Sequence, residues 1–215
     1  MNRELLSKQI IHTCLEMTRL GLNQGTAGNV SVRYQSGMLI TPTGIPYEQL
    51  TTEKIVYVDG EGKYEEGKLP SSEWGFHLAI YKERDDVNAV VHNHATHCAA
   101  VSIFDECIPA IHYMVAVGGN NHIPCVPYAT FGTKKLAENV AQGIKKSKAI
   151  LLSHHGCIAA EDNLEKALWL AHEVEILATW YMQLLATGKK FQLLSDGEMD
   201  IVLAKFKNYG LRIEE

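Results

Sequence analysis

The stretch Ala89–His97, AVVHNHATH, places three histidines within six positions directly after a short apolar run. Ala89, Val90 and Val91 read as a buried strand, and in an extended chain residues two apart point to the same side. His92 and His94 therefore project together while Asn93 faces away. A pair of imidazoles on one side of a strand end can converge on one ion, since neutral imidazole nitrogen binds zinc at roughly 2.0–2.1 Å and catalytic zinc usually takes three protein ligands. A further ligand must come from elsewhere in the chain.

Working outward, KAILLSHHG (148–156) is a second apolar run that ends in histidines. His154 and His155 are neighbours and face opposite ways, so one of them reaches such an ion; His155, against the turn expected at Gly156, is the better placed. His97 lies past the strand end and is read as at most a partner that orients a ligand. His12, His77, His122 and His172 carry no site signal and receive no role.

Around these strands the pattern alternates. A stripe of Leu6, Ile10, Cys14 and Met17 predicts a helix over 3–20, closed near Gly21. A strand is expected from Val30, and MLITPTGIP and KIVYVDGEGKY read as short strands. Pro70 with Ser71 or Ser72 as cap predicts a helix with Trp74, Leu78 and Tyr81 on one face and Glu73 in its first turn. KKLAENVAQGIKK and NLEKALWLAHEVEILATWYMQLLATG read as helices. Alternation of strands and helices implies an α/β fold whose sheet is covered on both faces. Strand direction does not follow from the pattern.

Composition limits the partners. The 215 residues are 46% hydrophobic and 21% charged, with a net charge of −5, as expected for one domain spanning 1–215 without linker or repeat. Only Lys145, Lys146 and Lys148 cluster, so no basic face for nucleic acid is expected. The charged, helical N-terminus is neither a signal peptide nor a membrane span. Five cysteines without a CxxC pair suggest neither a disulfide framework nor a thiolate zinc site, and a cytoplasmic location is expected.

Three short stretches offer backbone N–H groups and small hydroxyls without basic residues: Gly25 to Asn29, Thr43 with Gly44, and Ser71 with Ser72. Together they suggest an anion pocket suited to phosphate. Neither a Walker loop nor a dinucleotide fingerprint is present. Glu73, one residue past the serines, is read either as a metal ligand or as a base. No lysine is embedded in an apolar run, as an amine nucleophile would require.

In this order QGTAGNVSVR, ITPTGIPYEQL, GKLPSSEW, VVHNHATH and HHG resemble the class II aldolase and adducin family, over essentially the whole chain. The resemblance implies a three-layer α/β/α domain with a largely antiparallel central sheet, assembled as a four-fold symmetric homotetramer with active sites at subunit interfaces. It implies one Zn²⁺ per subunit, held by His92, His94 and His155 with Glu73 as further ligand and acid/base. Gly28, Asn29, Thr43, Gly44, Ser71 and Ser72 would bind the phosphate of a sugar-phosphate substrate. Tyr113 would donate a proton from the neighbouring subunit, and Tyr209 in the tail would help close the site. The implied reaction cleaves a carbon–carbon bond and leaves an enediolate, whose charge a divalent ion stabilises. Related epimerases carry an acidic residue in the segment matching 108–117; here IPAIHYMVAV has none. A sugar-phosphate dehydratase is a further alternative, whereas an adducin-like binding module would not need the metal ligands. Cys157 and Gly75 depart from the family pattern and are expected to touch no ligand.

Overall fold

The computed structural model describes residues 2–206. The chain opens with helix α1 (Arg3–Arg19), where the Asn2 side chain accepts from the Glu4 N–H and so satisfies an otherwise orphaned donor. The predicted stripe of Leu6, Ile10, Cys14 and Met17 is buried. Strands β1 (Asn29–Tyr34), β2 (Gly37–Ile40) and β3 (Val56–Val58) follow, then α2 (Trp74–Glu83), β4 (Ala89–Asn93) and α3 (Thr96–Ser102). The second half contains β5 (Cys125–Val126), α4 (Lys134–Ile144), β6 (Ala149–Leu152), β7 (Gly156–Glu161), α5 (Leu164–Ala186) and α6 (Asp196–Phe206).

The seven strands form one sheet in the order β3-β2-β1-β4-β7-β6-β5. It is mixed: β5 and β6 pair in parallel, with Cys125 opposite Leu151, and the other neighbours are antiparallel. Strand parity sorts the core. Val30, Val91, Leu151 and Ala159 face one side, where Ile10, Val101, Leu170 and Val174 of α1, α3 and α5 cover them. Val90, Ile150 and Ile158 face the other, under Phe76 and Ile80 of α2 and Val140 and Ile144 of α4. Each such fully buried aliphatic side chain stabilises the fold by about 1.5–3 kcal/mol relative to exposure.

The same parity places polar groups. Asn29 and Ser31 share the α2 face of β1, where they stand opposite His92 and Val90 of β4. The central strands thus carry side chains for the core in their middle and side chains for chemistry at one end.

Several expectations are corrected. KAILLSHHG is not one strand running into its histidines: β6 stops at Leu152, and the histidines form the turn into β7. KIVYVDGEGKY contributes only the three residues of β3. The elements β5, β7, α3 and α6 were not expected from periodicity. Glu73 lies just before α2 rather than in its first turn, with φ −101° and ψ 9°, and its side chain makes no cap. That frees the carboxylate to point elsewhere.

Candidate metal centre

Four side chains from three parts of the fold meet. His92 is the next-to-last residue of β4, His94 follows the strand, His155 sits in the β6–β7 turn and Glu73 precedes α2. One donor atom of each lies within 4.8 Å of those of the other three. His92 Nε2 is 3.0 Å from His94 Nε2 and 3.2 Å from Glu73 Oε2, while His155 Nε2 is 3.2 Å from Glu73 Oε1. His92 is wholly buried and Glu73 nearly so.

The tautomer of His92 is fixed from behind. A backbone carbonyl only accepts, so the ring donates Nδ1–H to the Cys157 carbonyl across 3.0 Å and turns the Nε2 lone pair to the cluster. Nε2 of His94, only 3.0 Å away, faces that lone pair. Glu73 Oε1, although close to His155, accepts no hydrogen bond of good geometry. The cluster thus gathers acceptors around a point that a cation would satisfy, and three imidazoles with one carboxylate fit a divalent ion such as zinc.

The electrostatics agree. Burial pulls His94 down to about 4 and His155 to about 3, in each case helped by His92, so both rings are neutral ligands at pH 7. Burial on its own would raise the Glu73 carboxyl; the charge that His92, and then His155, carries when protonated, with the Asn29 N–H, draws it below the usual carboxylate range.

The cluster opens on a cleft of about 400 Å³ whose walls include Gly28, Asn29, Thr43, Gly44, Ser71 and Ser72. Backbone pairing explains how distant loops come together: Ser71 N–H donates to Thr41 O, and Thr43 N–H to Leu69 O. Gly28 adopts φ +76°, and a Cβ there would lie 2.7 Å from the His92 carbonyl. Only glycine allows that approach.

Other expectations divide. His154, with φ +53°, lines the cleft but stays outside the donor cluster. His97 turns away: its Nδ1 lies 2.7 Å from Glu175 Oε1, and the Glu175 carboxylate also accepts from the His97 and Cys98 N–H groups at the start of α3. Cys157 does touch a ligand, through its backbone. Tyr113 is 49% exposed and lines a different hollow, beside α6. Tyr209 lies outside the described residues. Sequence reasoning passed over His77, Tyr128 and Phe131; both aromatics line the cleft from a loop with no periodic signal, and His77 is hidden in an apolar helix face.

Comparison with known proteins completes the picture. The Class II Aldolase and Adducin N-terminal domain matches residues 8–182. The L-fuculose phosphate aldolases of Haemophilus influenzae and Escherichia coli are each 69% identical to this chain over 215 residues, covering all of both sequences. A solved L-fuculose 1-phosphate aldolase superposes with a TM-score of 0.89 at 38% identity, covering 94% of this chain and 96% of its own. With the family model matching residues 8–182 and relatives 69% identical over the whole chain, the chain belongs to the class II aldolase and adducin family.

Proposed function

We propose that this chain is a zinc-dependent aldolase, with one ion per subunit, that reversibly cleaves L-fuculose 1-phosphate to dihydroxyacetone phosphate and L-lactaldehyde. The observation that carries the reading is the sharing of one cleft of about 400 Å³ by Glu73, His94 and His155 of the donor cluster and the glycine and hydroxyl loops. A small sugar phosphate reaches both at once. The 69% identity to L-fuculose phosphate aldolases supports the substrate.

When bound by Glu73, His92, His94 and His155, the ion supplies Lewis-acid stabilisation of the charge left by carbon–carbon cleavage. The protein does the rest. Gly28, Asn29, Thr43, Gly44, Ser71 and Ser72 grip the phosphate with neutral donors, which orients the reacting carbons without an added countercharge. Glu73, a ligand in the resting site, acts as acid/base once substrate displaces it. Tyr113 returns a proton to the aldehyde oxygen. Its place at the exposed start of a short 3-10 helix (Tyr113–Gly118), lining a hollow other than the cleft of its own chain, fits delivery from a second copy and hence a homotetramer with sites between subunits. Tyr209 closes the site. We read residues 1–215 as one domain. Five cysteines without a disulfide among the described residues support a reducing, cytoplasmic setting, and no described helix is long and apolar enough to cross a membrane.

The acid-free segment 108–117 favours the aldolase over an epimerase, and the buried donor set argues against an adducin-like binding module; a dehydratase would share both metal and phosphate sites and is separated by the assay of its product. The deciding experiment is a coupled assay of dihydroxyacetone phosphate released from L-fuculose 1-phosphate. Release should stop with a chelator and return with zinc. Zinc-loaded protein that releases none would rule out this substrate.

A further inference from the structure

Behind Glu73 and Asn29 runs a buried file of polar side chains, His77, Ser31 and Tyr81, that neither the metal nor the phosphate grip accounts for. Asn29 Nδ2 lies 3.0 Å from Glu73 Oε2, and Asn29 Oδ1 lies 2.5 Å from His77 Nε2. His77 Nδ1 lies 2.7 Å from Ser31 Oγ, which lies 2.8 Å from the Tyr81 hydroxyl. Glu73, Asn29, His77, Ser31 and Tyr81 are all buried, His77 completely.

Chemistry fixes the direction of each bond. A carboxylate only accepts, so the Asn29 atom facing Glu73 is the amide nitrogen and the atom facing His77 is the carbonyl oxygen. That oxygen needs a donor, so His77 carries its proton on Nε2. Its Nδ1 is then an acceptor and takes the Ser31 hydroxyl proton, which leaves Ser31 Oγ to accept from Tyr81. Every dipole points the same way, from Tyr81 to Glu73, and such chains reinforce one another at low dielectric. Strand parity builds the file: Asn29 and Ser31 are two apart on β1, and His77 and Tyr81 are one turn apart on α2.

We propose that His77 is a positioning residue for the metal centre: as the neutral Nε2–H tautomer, set by Ser31 and Tyr81, it locks the Asn29 amide with its N–H towards Glu73. An unlocked amide could turn its oxygen to the carboxylate and repel it. His77 thus orients Glu73 as a metal ligand and holds Asn29 at the wall of the cleft, without touching ion or substrate. The inference rests on the metal site of the reading above, not on its substrate.

The test uses zinc-loaded protein and no substrate. In protein labelled with ¹⁵N-histidine, long-range proton–nitrogen correlation should give His77, assigned by its contact with the Phe76 ring stacked 4.8 Å away, a neutral pattern with the proton on Nε2. A proton on Nδ1 would overturn the proposal, and this result does not depend on a variant folding. Zinc affinity, measured by chelator competition, should fall roughly 10- to 100-fold in His77→Phe. His77→Gln, whose amide N–H replaces the Nε2 donor, should recover most of it. Wild-type affinity in a folded His77→Phe, or a loss in folded His77→Gln as large as that of the phenylalanine variant, would reduce His77 to packing.

Discussion

Cys157 offers its backbone carbonyl, not its thiol, to His92 Nδ1 across 3.0 Å. The support of the metal ligand therefore belongs to the pairing of β7 with β4 and not to a replaceable side chain. Cys157→Ala should keep its zinc, whereas His92→Ala should lose it. Elemental analysis after dialysis separates the two, and full occupancy in His92→Ala would remove that residue from the ligand set.

Tyr113→Phe deletes one hydroxyl from a half-exposed residue that lines a hollow separate from the metal cleft. Fold and zinc content should be unchanged, while turnover of L-fuculose 1-phosphate falls by roughly 10²- to 10⁴-fold, the usual worth of a general acid. Wild-type turnover would show that the hydroxyl transfers no proton.

The stability of zinc-free protein should fall with acidification. His94 and His155 titrate at about 4 and about 3 when folded, against an ordinary 6.5. The unfolded chain therefore binds more protons below pH 6.5, and stability drains away as pH drops towards 4. Glu73, held below its ordinary value, adds a loss of the same sign at still lower pH. Melting temperatures of chelated protein between pH 7.5 and 5 give the check; a rise on acidification would contradict the burial described.

Gly28 and Gly44 both have positive φ, yet a Cβ on Gly28 meets Asn23 and the His92 carbonyl within 2.7 Å, while one on Gly44 meets nothing within 4 Å. Gly44→Ala should cost only the left-handed strain, about 1–2 kcal/mol. Gly28→Ala should cost more and also weaken zinc binding by shifting β4, as denaturation curves and metal titration of the two variants would reveal.

The site was legible in the sequence where local geometry sufficed. The HxH spacing at a strand end needs only period-two alternation, and preference for His155 over His154 needs only the turn at Gly156. Three residues escaped for one reason: their meaning depends on partners far along the chain. His77 looks apolar until Asn29 is placed beside it, His97 looks like a ligand's helper until Glu175 takes it, and Tyr113 cannot be located from its neighbours. The two-residue β5 is too short to show alternation, so the single parallel pairing was hidden as well.

Because β4 lies between β1 and β7, a ribosome must have made residues through β7 before the last ligand can swing into place. A nascent chain that stops before residue 155 offers a divalent ion at most Glu73, His92 and His94, with the Cys157 carbonyl still missing and the His92 tautomer still free. An ion held at this cluster would therefore meet its full donor set only after the central strands have closed, and its uptake would report a finished fold rather than start one.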